Sequence, residues 1–200
     1  MSTTTTRDPD RLVLFTDAVV AIAITLLVLP LVELVNEHVE HPAEIVTHNW
    51  DRLGSFALSF VVIARFWMAH HRVFAHVSQY TARLMRWNML WLFTTVLLPF
   101  PTGMVSRFGP DHFTMAFYIG TVGVSSVCLT MLTLLIHRNP DIQDAENPLH
   151  RKDVISTVST TGLIVVALIV AMLLPRVNYY ALLLLLLTPV VTRLWAKVRL

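Results

Sequence analysis

Residues 11 to 30 read Arg11-Leu-Val-Leu-Phe15-Thr16-Asp17-Ala-Val-Val-Ala-Ile22-Ala-Ile-Thr25-Leu26-Leu27-Val-Leu29-Pro30. Beyond Arg11, the single charge in this stretch is Asp17. A run of about 20 apolar residues matches the thickness of a bilayer's hydrocarbon core. Buried in lipid, its backbone must satisfy its own hydrogen bonds, so the run predicts a helix. The same signature recurs along the chain. Apolar segments run over about 11–35, 53–77, 87–105, 113–136, 154–174 and 179–196, with Pro175 closing the fifth. The chain has 200 residues, of which 55% are hydrophobic and 14% charged. Mean hydropathy is +0.63. A soluble domain carries roughly a quarter charged residues. These observations predict an all-α, polytopic membrane protein with six transmembrane helices.

The loops predict orientation, because Lys and Arg are retained on the cytoplasmic side. With the N-terminus inside, that side holds Arg7, Arg11, Arg72, Arg83, Arg86, Arg138, Arg151, Lys152, Arg193, Lys197 and Arg199, and the outer side holds Arg52, Arg107 and Arg176. Both termini are therefore expected in the cytoplasm. Residues 1–10 are expected to form a flexible cytoplasmic N-terminus, and 11–200 one six-helix transmembrane domain. The N-terminus lacks a secretory cleavage pattern, so the first apolar block is expected to remain as a helix. The long outer loop carries Glu37, Glu40, Glu44 and Asp51, which either gather cations or simply solvate the loop. The inner loop from Arg138 to Asp153 reads as a flexible polar connector.

Several chemistries are disfavoured. Cys128 is the sole cysteine, which leaves no disulfide framework and no thiolate metal site. A metal site at His70 and His71 is not expected. No nucleophile with an adjacent base stands out, so an enzyme is not expected. The basic residues do not accompany a nucleic-acid motif. Thr121-Val122-Gly123-Val124 resembles part of a carbonyl selectivity filter, yet it lies inside the fourth apolar block with no re-entrant helix before it. Gly120 and Gly123 read instead as positions of close helix packing.

Two features of the membrane segments call for explanation. Asp17 lies within the first span, where an ionised carboxylate must turn inward and pair. Arg65 lies near the middle of the second span and needs a polar neighbour or a water-filled crevice. Ile22, Leu26 and Leu29 share one helix face with Thr25 beside them. Such a stripe ordinarily faces lipid.

The stretch Arg11-x-x-x-Phe15-Thr16-Asp17 and the run that follows it resemble the RxxxFSD signature of the endosomal and lysosomal potassium channel family, the transmembrane protein 175 family. Thr16 replaces the usual Ser, and Ala18 stands where Gly is common in bacterial members. The signature occurs once, as in the prokaryotic branch. The resemblance implies a homotetramer in the cell membrane, with four copies of the first helix around a central pore. It implies a moderately potassium-selective cation channel, with K⁺ as permeant ion and no cofactor. Ile22 would form the constriction, Leu26 and Leu29 further apolar rings, and Thr25 would contribute to selectivity. It also implies a polar network joining Arg11 and Asp17 to Asn88 and a histidine of the second helix, with Phe15, Thr16 and Trp67 in the motif. Sequence does not choose between His70 and His71. A proton-coupled secondary transporter using Asp17, Arg65 and His71 is the main rival, and a non-conducting scaffold is a third reading.

Overall fold

The computed structural model describes residues 9–35, 41–109 and 111–173. Within them the long apolar blocks become helices, as internal hydrogen bonding in lipid requires. The first span consists of α1 (Pro9–Leu26) and α2 (Leu29–Leu34), and the short α3 (Pro42–His48) follows. The second span is α4 (Trp50–Phe74). The third is divided into α5 (Ala82–Leu97) and α6 (Pro99–Phe108). The fourth is α7 (His112–His137) and the fifth α8 (Arg151–Leu173). Among the described residues, five helical stretches are long and apolar enough to cross a membrane. The sixth segment, residues 179–196, lies outside the described residues, as do residues 1–8 and the loop acids Glu37 and Glu40.

Proline explains both divided spans. Pro30 has no N–H to give the Leu26 carbonyl, and its ring crowds that carbonyl. The chain tightens ahead of it, with Leu27 N bonding Ile24 O and Val28 N bonding Thr25 O, each at 3.3 Å. Pro99 and Pro101 divide the third span at Leu98 in the same way. Pro30 lies beside α6: a Cβ at Gly103 would lie 3.9 Å from Pro30 Cγ. Two other helix starts, those of α5 and α7, carry side-chain caps. Thr81 accepts a hydrogen bond from Leu84 N, and Asp111 with Thr114 closes a capping box at α7. Gly109, with φ of 74°, makes the turn between α6 and α7 in a conformation that side chains disfavour.

The α7 helix forms the spine. It packs against α5 on one side and α8 on the other, while α1 lies against α4 and α5. Ile63, Trp91, Ile119, Leu132 and Ile136 are fully buried among these helices. Because lipid is as apolar as leucine, burial alone holds membrane helices together weakly, and hydroxyl pairs add to it. Ser126 and Thr130 of α7 bond Thr161 of α8 at 2.7 and 2.9 Å. Ser59 of α4 meets Tyr118 of α7 at 2.8 Å and accepts from Thr102 of α6 at 2.9 Å.

Within the outer loop, Pro42 starts the short helix α3. Two expectations need correction. The connector between α7 and α8 is tethered, not free. It pairs with the α4–α5 turn through a bridge of Val77 with Gln143, through Asp144 N to His76 O at 2.9 Å, and through His76 Nδ1 donating to Asn147 O at 2.8 Å. Among the described residues, nothing lies within 4 Å of a Cβ added at Gly120, so close packing against them does not account for it. Gly123 does face α8, 3.6 Å from Ile164 by the same measure. The Thr121-Val122-Gly123-Val124 stretch is continuous helix within α7.

Candidate functional site

The α1 helix has two distinct sides. Leu12, Thr16, Val20 and Ala23 are buried against the bundle, and Leu27 continues that side past the end of the helix. This spacing of three and four residues gives one continuous face. On it, Thr16 donates its hydroxyl proton to Leu12 O at 2.8 Å. That hydroxyl accepts from Asn88 Nδ2 of α5 at 2.9 Å. The carboxamide oxygen of Asn88 is then left to accept, so the 2.7 Å bond to His70 Nε2 identifies that nitrogen as the protonated one. His70 is completely buried and lies between two rings, Phe74 at 4.2 Å and Trp91 at 4.4 Å, both stacked. Its Nδ1 has no hydrogen-bond partner among the described residues.

A second link lies one residue along. The Trp67 indole N–H donates to Asp17 Oδ1 at 2.8 Å. His71 lies against Trp67 with ring centroids 5.8 Å apart, its own surface exposed. Two adjacent α1 residues therefore tie the helix to α4 and α5 by separate routes.

This arrangement differs from a single network of Arg11, Asp17, a histidine and Asn88. His70, not His71, bonds Asn88. Thr16, not Asp17, is the α1 residue at the end of that chain. The Arg11 side chain is exposed and makes no hydrogen bond among the described residues. Geometry explains the difference: Arg11 and Phe15 lie on the side of α1 turned away from the buried Thr16 face. Sequence reading missed Trp91 and Phe74 as the plates around His70. Their signals were present, since Trp91 is three residues from Asn88 and Phe74 four from His70, both helical neighbours.

The other side of α1 is turned away from the chain's own bundle. Phe15 is 53% exposed, Ile22 60%, Leu26 39% and Leu29 54%. Arg11, Ala18 and Thr25 are exposed along the same stripe. Thr25 donates its hydroxyl proton back to Ile22 O at 2.8 Å. Its oxygen lone pairs remain available outward, which suits a cation and not an anion. The stripe thus offers apolar groups and one acceptor oxygen.

Residues 11–99 match the model of the endosomal/lysosomal potassium channel family TMEM175. A potassium channel of Streptomyces collinus is 33% identical over 101 residues, covering 49% of this chain and 48% of that protein. A potassium channel of Chamaesiphon minutus is 34% identical over 100 residues, covering 49% of each. The chain thus spans about half the length of the curated relatives it matches. Among solved structures, a lysosomal potassium-selective channel TMEM175 homolog from Chamaesiphon minutus superposes with a TM-score of 0.71 at 22% identity, over 91% of this chain and 96% of that one. A single-residue variant of the potassium channel MtTMEM175, solved in complex with a nanobody fusion protein, superposes with a TM-score of 0.60 at 15% identity, over 100% of this chain and 97% of that one. These structural likenesses concern the fold.

Proposed function

We propose that this chain, whose residues 11–99 match the model of the endosomal/lysosomal potassium channel family TMEM175, belongs to that family and conducts potassium through a pore lined by α1. Four copies assemble around a central axis, each contributing Ile22, Thr25, Leu26 and Leu29. The basic ends of the helices face the cytoplasm of a cell whose plasma membrane the protein spans. The apolar rings form a constriction in place of a carbonyl filter. A ring of branched side chains narrow enough to exclude water gates by dewetting, and a small widening readmits partly hydrated cations. Because side-chain rings replace the hydration shell less completely than stacked carbonyls, discrimination of K⁺ from Na⁺ is moderate. The acceptor oxygen of Thr25 favours cations at the constriction.

One observation carries this reading. The stripe Ile22, Thr25, Leu26, Leu29 is exposed while the opposite side of α1 is tied down by Trp67–Asp17 and by His70–Asn88–Thr16. Those links set the rotation of α1 and so the direction in which the stripe points. Planar-bilayer recording under a K⁺/Na⁺ gradient tests it with Ile22→Asn. Conductance should rise severalfold and cation discrimination should fall. Identical currents from variant and parent would place the constriction elsewhere.

A further inference from the structure

Arg65 is a permanent cation deep within the α4 span. About 14 Å of helix, at roughly 1.5 Å per residue, separates it from Phe74. Its guanidinium has no hydrogen-bond or ion-pair partner among the described residues. Guanidinium does not shed its proton in proteins, so burial cannot be relieved by neutralisation. A charge at such depth persists where it meets a counter-charge or a polar cavity.

The surroundings of Arg65 supply the cavity. Both α4 and α8 pack on α7, and the gap between them holds a space of about 630 Å³. Its polar wall includes Arg65 and Arg72 of α4 facing Asp153 and Ser156 of α8, and its apolar wall includes Phe66 and Leu129. Arg72 lies two helical turns nearer the basic end. It commits only Nε, at 3.3 Å to Met68 O. Asp153 uses Oδ2 to accept from His150 N at 3.2 Å. The hydroxyl of Ser156 makes no hydrogen bond among the described residues.

We propose that this crevice binds the headgroup of an anionic phospholipid, with the phosphate held between Arg65 and Arg72. Two guanidinium groups on one helix face provide forked donors matched to phosphate oxygens. Ser156 adds a hydroxyl donor across the gap. Asp153, near the mouth, accepts from a hydroxylated headgroup such as glycerol and repels a headgroup with further negative charge. The apolar wall is compatible with acyl chains entering between α4 and α8. A basic pocket between helices at the cytoplasmic side is the setting in which such headgroups bind. The inference is independent of conduction, because it concerns the side of the bundle built from α4, α7 and α8.

Native mass spectrometry of the full chain in detergent tests it. Dioleoyl phosphatidylglycerol, dioleoyl phosphatidylcholine and inorganic phosphate serve as the probes. The parent should retain one phosphatidylglycerol per chain, about tenfold more tightly than phosphatidylcholine. The double substitution Arg65→Gln with Arg72→Gln should lose that preference, and Arg65→Lys with Arg72→Lys should keep part of it. Equal retention of both lipids, or unchanged phosphatidylglycerol retention in the glutamine variant, overturns the proposal. Displacement of the lipid by millimolar inorganic phosphate also overturns it, and assigns the crevice to a free anion. Should the glutamine variant fail to fold, Ser156→Trp fills the crevice while leaving both arginines. Loss of phosphatidylglycerol then supports the assignment, and retention overturns it.

Discussion

Asn88 is fully buried and satisfies two partners at once, donating to Thr16 and accepting from His70. A leucine there would match its bulk and strand both partners. Leaving a buried polar group unpaired costs about 1–3 kcal/mol. Pairs between membrane helices average nearer ~0.6 kcal/mol, because the unfolded chain in lipid also finds partners. Asn88→Leu should therefore lower the thermal unfolding midpoint of the detergent-solubilised protein by several degrees. It should also alter open probability in bilayer recordings, since the rotation of α1 loses one of its two ties. The other tie gives an independent check. Trp67→Phe keeps an aromatic ring and removes the donor to Asp17 Oδ1, and it should act in the same direction. Unchanged stability in both variants would mean that α1 is held by packing alone.

Proline decides the geometry of the first span at the scale of the element. The interruption at Leu27 and Val28 re-aims Leu29 relative to Ile22 and Leu26. With Ala at position 30, the Leu26 carbonyl regains a donor and the two helical pieces can join. Straightening should bring Leu29 into line with the rings before it and lengthen the dry constriction. Pro30→Ala should thus reduce single-channel conductance severalfold while leaving the fold intact, as read by bilayer recording and circular dichroism. An increase in current would show that the interruption narrows the pore instead of shortening its constriction. The tether between the α4–α5 turn and the α7–α8 connector belongs to the same scale. Loops with several backbone partners lose the freedom that their polar composition suggests.

For the whole molecule, the proposed pore requires the exposed stripe of α1 to meet its own copies around an axis. The only native thiol, Cys128, is buried, which leaves a quiet background for cross-linking. Ile22→Cys should form disulfide-linked dimers under mild oxidation in membranes, whereas the parent should not. Absence of cross-linked species would separate the four stripes from one another and remove the central pore.

The five described spans were legible from sequence because lipid imposes one rule on each: about 20 apolar residues closed by polar turns. The boundaries of the five described spans agree with that reading to within a few residues, apart from the start of the third, where helix begins at Ala82 instead of near Trp87. The Arg11-to-Asp17 motif likewise pointed to the helix that carries the candidate site. Sequence could not decide which side of that helix faces inward, since in a membrane both sides are apolar and periodicity carries little contrast. Nor could it choose His70 over His71, exclude Arg11 from the polar links, or place Arg65 beside a cavity. Those outcomes depend on the rotation of α1, α4 and α5 about their own axes. Tertiary packing sets that rotation, through a handful of hydrogen bonds between residues far apart in the chain.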